Sequence, residues 1–360
     1  MSNRKLTILG VVAILMIIWA AVQSRISNRP KTEAAGPRYL IQGLDPADIG
    51  SIVLGSTENT VTLKRTGGHF VVFEKDNYPA HASQINELIT SCLDIKTDEL
   101  YTDDPAKHKD LGVTEDDART FVKFLKPDSS LLTGVIVGKF KEQGRGTYVR
   151  SASSNKVYGA EQSPWIRDRA MDYIEQELIT LEPDDIESVT VTSENESYTL
   201  RAENGGVILE NPPEGKTPKR GDIGRVFNAF TNIRFDDVQN ETAADDLNFD
   251  RQFICRLKDS TVYTIDIAQE NDKTYVACHV EFTDTTPVTK EKEVESEEQL
   301  KEKEAKLLAR DKANEFSAKH SGWVYEIADY KAENLTKQVS ELFEEKQEPE
   351  QTDQVDEPDS

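Results

Sequence analysis

The histidines are the residues whose chemistry matters first, because imidazole binds metals and serves as an acid or a base near neutral pH. None of them forms an HxxxH or HExxH pattern, so the sequence predicts no zinc hydrolase site. Cys255, Cys278 and His279 offer three potential metal ligands, but neighbouring residues of a strand point to opposite faces. Buried core residues are the favoured interpretation. The five histidines are His69, His81, His108, His279 and His320.

The three cysteines, Cys92, Cys255 and Cys278, include no CxxC pair. Cys255 and Cys278 lie in two strand-like segments and can form a disulfide only if those strands are neighbours outside the cytoplasm. Buried free thiols are the favoured alternative. The sequence leaves this choice open.

Acidic doublets are the other feature with catalytic potential, since glycoside hydrolysis uses two carboxylates about 5–10 Å apart across a cleft. In a chain with 66 acidic residues, doublets at turns and helix starts indicate solvated or capping side chains instead. The sequence also has no GxSxG elbow and no Walker A loop. We therefore expect a non-enzymatic protein with no catalytic residues, no metal site and no cofactor. The doublets are Asp103-Asp104, Asp116-Asp117, Asp184-Asp185 and Asp245-Asp246.

Three aromatic residues are candidates for contact with a ligand or a partner: Trp165, Tyr148 and Tyr275. Trp165 begins a segment that we predict to open a helix, and it is interpreted as a core anchor or as a stacking platform. Tyr148 and Tyr275 stand in predicted strands.

The formal net charge of −23 argues against nucleic acid as a partner, because a phosphate backbone must be met by clustered Lys and Arg. Acidic lipid headgroups are disfavoured for the same reason. Neutral or basic partners stay open.

A membrane anchor is predicted at residues 6–22, which carry no charge and are almost all apolar. Seventeen helical residues span about 25 Å, close to the thickness of a bilayer core. Trp19 would lie at the membrane interface, and cleavage after Ala20-Ala21 is the alternative. Flanking charges do not fix the orientation, but long C-terminal domains translocate largely regardless of charge. We expect a single-pass protein of the bacterial inner membrane with its body in the periplasm.

The part of the chain after the predicted anchor contains an internal sequence duplication. The segments 44–52 and 181–189 match at a constant shift of 137, and each is followed by a second alternating strand and a Gly pair. A helix with an apolar stripe follows in each copy. Ser83 and Asp222 are the predicted N-caps. The stripes are Ile85, Leu88, Ile89, Cys92 and Ile95 in the first copy, and Ile223, Val226, Phe227, Phe230 and Ile233 in the second.

Three or more further antiparallel strands in each copy complete the pattern, so we predict an α+β fold of two homologous antiparallel-sheet-plus-helix repeats after one N-terminal transmembrane helix. The second copy carries a charged insertion near 283–322, interpreted as a solvated helix with Glu–Lys pairs or as a docking arm. Its thin apolar seam is Leu300, Leu307 and Leu308. The predicted domains are residues 1–38 (tip, anchor and tether), 39–180 (first repeat), 181–343 (second repeat) and 344–360 (disordered acidic tail).

Several short elements follow one another in a characteristic order: residues 49–52, 109–113, 134–138, 148–150, 157–158 and 165–168. This order resembles an uncharacterised bacterial family, domain of unknown function 4340. The resemblance covers most of residues 40–340, although Val113 stands where the family often has Leu. It implies an accessory membrane protein, because members are often encoded beside ABC transporter components of the gliding-motility type. It implies no catalytic residues.

The leading functional hypothesis is therefore an accessory or scaffold protein of a cell-envelope ABC transporter complex, whose partners are the transporter subunits and, through residues 6–22, the bilayer. The alternative is a module that binds an envelope glycan or small ligand in a cleft between the repeats, lined by Trp165, Tyr148 and Tyr275. The sequence does not identify the cargo, the oligomeric state or the relative placement of the repeats.

Overall fold

The structure is a computed structural model that describes residues 38–56, 58–142, 144–162, 164–289 and 295–345. The predicted anchor at residues 6–22, its interfacial Trp19 and most of the acidic tail lie outside the described residues. None of the helices among the described residues combines the length and apolarity needed to span a membrane.

Strands dominate the described part of the chain. Those of its first half are β1 (Arg38–Tyr39), β2 (Ser51–Gly55), β3 (Thr60–Thr66), β4 (His69–Val72), β5 (Tyr78–Pro79), β6 (Lys96–Thr97), β7 (Leu100–Thr102), β8 (Thr120–Leu125), β9 (Leu131–Phe140), β10 (Thr147–Ser151) and β11 (Val157–Ala160). Those of its second half are β12 (Glu177–Thr180), β13 (Ile186–Ser193), β14 (Ser197–Glu203), β15 (Gly206–Leu209), β16 (Lys216–Pro218), β17 (Asn232–Asn240), β18 (Phe249–Leu257), β19 (Thr261–Glu270), β20 (Lys273–Phe282), β21 (Trp323–Ile327) and β22 (Phe343–Glu345). The α-helices of the described residues are α1 (Ala82–Leu93), α2 (His108–Leu111), α3 (Arg220–Phe227), α4 (Glu297–His320) and α5 (Asp329–Leu335).

The strands form two large sheets of nine strands each. The first has the order β5-β4-β3-β2-β8-β9-β10-β11-β7, and the second has the order β12-β17-β21-β20-β19-β18-β13-β14-β15. Two small pairs, β1-β6 and β16-β22, complete the strand set. The registers of the second sheet are antiparallel, as in the long pair between β19 and β20. The predicted α+β class with antiparallel sheets is confirmed.

Alternation of burial explains why these segments form strands. In β3 the side chains of Val61 and Leu63 are buried and their neighbours are not, which is the period of two that a half-buried strand requires. In β20 the same alternation buries Val276, Cys278 and Val280. The core of each sheet is built from these inward rows.

All ten residues of the two predicted apolar stripes are buried, but only seven of them lie in the helices. Ile95 follows α1, Phe230 lies in a 3₁₀ helix after α3, and Ile233 lies in β17. The predicted N-caps are wrong. Ser83 and Asp222 lie inside the first turns, because α1 begins one residue before Ser83 and α3 begins two residues before Asp222. Asp222 instead accepts a hydrogen bond from Lys337 Nζ at 3.1 Å.

The charged insertion forms α4, which begins with a capping box between Ser296 and Gln299. The predicted ion pair between Glu297 and Lys301 is present at 2.7 Å. Of the predicted apolar seam, Leu307 is half-buried, whereas Leu300 and Leu308 are both about half exposed. Small residues make the contact instead: Ala309 and Ala313 are buried, and Ser317 Oγ donates to Val280 O of β20 at 2.8 Å.

Helix formation at Trp165 is not observed. Residues 164–168 adopt no regular element, and a short 3₁₀ helix follows at Ala170–Tyr173. The Trp165 side chain is 80% exposed, so the core-anchor interpretation is wrong.

By their contacts the described residues separate into two compact units. Unit 1 holds the residues up to Ile49 together with Leu54–Glu58 and Leu88–Ile166. Unit 2 holds Gly50–Val53, Asn59–Glu87 and the residues from Arg167 onward. The domain boundaries that we drew from the sequence stay predictions.

Candidate functional site

Tyr148, the first of the three aromatic candidates, lies in β10 of unit 1 and is buried. Its ring packs against that of Tyr101, with centroids 4.7 Å apart. The pKa of Tyr148 is raised to about 12, mainly by the hydrogen bond with Tyr101 and secondly by burial. Tyr148 therefore supports the more exposed Tyr101, which the sequence analysis did not single out.

Tyr275, the third candidate, lies in β20 of unit 2 and lines a shallow pocket of about 180 Å³. The pocket wall is polar: Lys75 pairs with Asp237, and Lys273 Nζ lies 2.7 Å from Glu326 Oε2. An aromatic ring beside carboxylates and an amide is the kind of wall that binds sugars and other polar ligands. Tyr148 thus lies in a strand of the first sheet, Trp165 in a loop, and Tyr275 in a strand of the second sheet. Each of these three residues has different neighbours.

Ser83, His81 and Glu175 form a hydrogen-bonded array in unit 2 that sequence reasoning missed. His81 Nδ1 lies 3.0 Å from Ser83 Oγ, and His81 Nε2 lies 3.0 Å from Glu175 Oε2. The backbone N–H of His81 donates to Tyr173 O at 2.8 Å, which fixes the histidine next to the segment that carries Glu175.

A serine, an imidazole and a carboxylate in series can pass a proton from the hydroxyl to the ring. The His81 and Glu175 side chains are each about 40% exposed, so solvent screens the pair. Nucleophilic catalysis also needs donors aimed at a developing oxyanion. What the array does by itself is to join the start of α1 to the segment around Glu175. No sequence motif predicts this array, because Glu175 is far from His81 along the chain.

A buried polar chain crosses the core of unit 2. His320 Nδ1 lies 2.7 Å from the Tyr325 hydroxyl, which lies 3.5 Å from the hydroxyl of Tyr78. All three side chains are less than 4% exposed. Burial, followed by the charge of Lys319, lowers the pKa of His320 to about 4, and burial raises the pKa of Tyr325 and of Tyr78.

Four of the elements that carry the family resemblance, residues 109–113, 134–138, 148–150 and 157–158, lie in unit 1. Gly138 of β9 packs so closely on the turn after α2 that a Cβ there would lie 2.4 Å from Leu111 O and 2.7 Å from Val113 Cγ1. Gly112 ends α2 with φ +67°, a left-handed conformation that favours glycine. These glycines allow the α2 turn to lie directly on the sheet.

Arg150 locks the same turn from β10. Its Nε donates to Val113 O at 2.9 Å, and its Nη1 donates to Ser154 O at 2.9 Å. Burial lowers the pKa of Arg150. Both donors satisfy backbone carbonyls, so this arginine holds loops together.

Metal ligation has no footprint in the part of the chain that the structure describes, where no group of three or more His, Cys, Asp or Glu side chains is arranged to hold an ion. Cys255 and Cys278 are free, buried thiols in β18 and β20, which lie on either side of β19. Burial raises the pKa of Cys255 to about 12, which suppresses the reactive thiolate. The favoured interpretation of these cysteines is confirmed.

A family model described as "Domain of unknown function (DUF4340)" matches residues 71–252, about half of the chain. The match begins in β4 and ends in β18. No curated protein and no solved structure matches the sequence.

Proposed function

The chain belongs to the family described as a domain of unknown function, DUF4340, and from that premise we propose that it is a non-enzymatic accessory or scaffold protein of a cell-envelope ABC transporter complex. In this proposal residues 6–22 hold the protein in the bacterial inner membrane as a single-pass anchor. The body lies in the periplasm and acts through contacts with transporter subunits.

One observation carries the proposal: unit 1 exposes many large apolar side chains. Trp165 is 80% exposed, Phe140 63% and Tyr101 54%. Aromatic residues are enriched at protein interfaces, where they give large contact areas at a small loss of side-chain entropy. Among the described residues of unit 1 the exposed large apolar side chains are Tyr39, Leu100, Tyr101, Leu131, Phe140 and Trp165.

The proposal includes the duplication of the body. Apart from the edge strands β5 of the first sheet and β12 of the second, the first sheet runs β4-β3-β2-β8-β9-β10-β11-β7, and the second runs β15-β14-β13-β18-β19-β20-β21-β17. Each strand of one series matches the strand at the same place in the other, and α1 and α3 each follow the hairpin. The connection from β20 to β21 carries α4, where that from β10 to β11 is short. This correspondence supports two homologous repeats.

The test is recovery of transporter subunits with the tagged full chain from detergent-solubilised membranes, identified by mass spectrometry. We expect the double variant Phe140→Asp, Trp165→Asp to reduce that recovery about tenfold, since charged groups in the core of an interface oppose association. The matched control is Ile208→Asp, Tyr330→Asp, which changes two exposed apolar residues of unit 2 and should leave recovery unchanged. Repeated recovery of the chain without any transporter subunit would overturn the proposal.

A second candidate function is binding of an envelope glycan, and the pocket at Tyr275 favours it. The ring of Tyr275 can stack on a sugar face while Gln239 and Glu326 bond its hydroxyls. Calorimetry with soluble peptidoglycan fragments should show binding that weakens about tenfold in Tyr275→Ala. Tyr330→Ala, which removes an exposed tyrosine elsewhere in unit 2, should bind as the original chain does. Equal affinities for the three proteins would exclude this site.

A further inference from the structure

The outer edge of the first sheet is formed by β7, a strand that ends the order of that sheet. On its inner side β7 pairs with β11, where Val157 faces Thr102 and Tyr158 faces Leu100. On its outer side no strand follows it within the described residues. An edge of this kind presents backbone N–H and C=O groups in a row and can pair with another extended chain.

The side chains of β7 are unusual for a strand edge. Leu100 is 50% exposed and Tyr101 is 54% exposed, so an apolar centre faces solvent. Edges that must stay unpaired are usually short, or are blunted by charged residues, Pro or bulges. β7 is three residues long and its pairing with β11 has a register shift between Val157 and Tyr158, but the strand carries no Lys and no Pro. The apolar centre of β7 is therefore exposed to a partner strand, and the residues on its two flanks restrict which segments can pair with it.

Both flanks of β7 are acidic. Asp98 and Glu99 precede the strand, Asp103 and Asp104 follow it, and all four are exposed. Asp98 is met by Lys141 Nζ at 3.0 Å, and Asp104 accepts the N–H of Ala106 at 3.0 Å. The edge therefore places negative charge on either side of an apolar pair.

In the free protein, hydrogen bonds and ring packing already fix the position of β7. The N–H of Asp98 donates to Gly159 O at 2.8 Å, and the N–H of Gly159 donates to Glu99 O at 3.3 Å. At the other end the N–H of Asp104 donates to Thr102 Oγ1 at 3.1 Å. The ring of Tyr101 rests on Tyr148. A fixed edge loses little conformational entropy on binding, which favours strand addition.

We propose that β7 is a docking edge for an extended segment of a partner protein, with an apolar centre and Lys or Arg on both flanks. The inference rests on the proposed function, because it names the kind of contact by which an accessory protein would engage its complex. Charge complementarity selects the occupant: a basic segment meets Glu99 and Asp103, whereas a second copy of this chain would place acidic flanks against acidic flanks.

The probe is a fluorescent nonapeptide of alternating valine and threonine with two lysines at each end, added to the full chain. Fluorescence anisotropy measures its affinity, and hydrogen exchange locates the protected amides. We expect saturable binding, protection at residues 99–103, and about tenfold weaker binding in the double variant Glu99→Lys, Asp103→Lys. The same variant should bind a peptide of the same core with glutamates at its ends, because the charge pairing is then reversed.

Two controls isolate the edge. Asp110→Lys, Asp116→Lys makes the same change in net charge at exposed positions elsewhere in unit 1 and should leave the affinity unchanged. A lysine-flanked peptide whose alternate amides are N-methylated keeps the charges but loses main-chain donors, and it should not bind. Equal binding of the methylated peptide would mean a purely electrostatic contact and would overturn strand addition.

Three further results would overturn the proposal. They are an absence of saturable binding, equal affinity in both charge variants, and protection in the free chain of those β7 amides that do not bond to β11. The last would mean that the chain's own residues before Arg38 already occupy the edge, since β1 pairs with β6 just before β7 begins. These outcomes are independent of transporter recovery, which the Phe140 and Trp165 variant reports. Failure at β7 and failure of the proposed function are therefore distinguishable.

Discussion

Gly146→Ala is expected to lower the free energy of unfolding of unit 1 by about 3 kcal/mol or more. Gly146 precedes β10 and has φ +102°, a backbone conformation that L side chains rarely adopt. A Cβ at this position would lie 1.9 Å from Ala160 O and 2.8 Å from the Ala160 carbonyl carbon. Because the obstacle is backbone of the paired strand β11, a rotamer change cannot relieve the overlap, and strands must separate.

The matched control is Gly144→Ala in the same turn. Gly144 has φ +87°, so alanine is strained there as well, but no heavy atom lies within 4 Å of its Cβ position. That variant should lose about 1 kcal/mol, from backbone strain alone. Urea unfolding followed by circular dichroism gives both values. Equal losses in the two variants would show that β11 yields easily and that the close approach at Ala160 has no energetic weight.

The helix stripes and alternating strands were predictable because periodicity is a local property of a sequence. All ten stripe residues are buried, and seven of them lie in α1 and α3, since an amphipathic helix that packs buries that face. Cys255 and Cys278 were interpretable as buried thiols because their strands read as core strands. These inferences needed no knowledge of which elements are neighbours.

Features that depend on contacts between residues distant in sequence could not be predicted from the sequence. The sequence offered Leu300, Leu307 and Leu308 as a thin apolar seam of α4, but the helix approaches β20 through Ala309 and Ala313. Small residues permit close approach of a helix to a sheet, and hydropathy alone ranks them below leucine. Trp165 was interpreted as a core anchor or as a stacking platform because it is a large aromatic residue, and nothing local shows that its segment stays irregular and exposed.

The candidate sites also combine features that local sequence predicts with features that depend on distant neighbours. Tyr275 was singled out as an aromatic in a strand, but its pocket needs Asp237 and Glu326 from two other strands. The His81–Glu175 contact joins segments far apart in the sequence, and the β7 edge arises from sheet order; no short motif encodes either. Of the flanks of β7, the sequence analysis noted Asp103-Asp104 only as a solvated doublet.

The second large effect is expected from His320, whose ring is 3% exposed and whose Nδ1 contacts the Tyr325 hydroxyl. Phe316 packs on the same ring at 4.3 Å between centroids, and Lys319 is the neighbouring cation. Desolvation is the main reason that the pKa of His320 falls to about 4, and the charge of Lys319 adds to it. In the unfolded chain the pKa of a histidine is about 6.5.

The direction of the pH dependence follows from these two pKa values. Between about pH 4 and about pH 6.5 the unfolded state binds more protons than the folded state, so stability rises with pH in that window. The contribution is fully present above about pH 6.5 and is lost as the pH falls to about 4. Over the whole window it amounts to about 3 kcal/mol.

Urea unfolding at pH 7 and pH 4.5 measures this contribution when the chain is compared with His320→Gln, which keeps a polar group beside Tyr325 but does not titrate. We expect the loss between the two pH values to be smaller in His320→Gln by about 2 kcal/mol. Carboxylates that titrate in the same range are common to both proteins and cancel in the difference. Lys319→Gln should keep most of the pH dependence, because burial is the larger cause of the shift. If the original chain and His320→Gln lose stability in parallel, His320 is accessible to protons in the folded state, and the buried chain from His320 to Tyr78 is open to water.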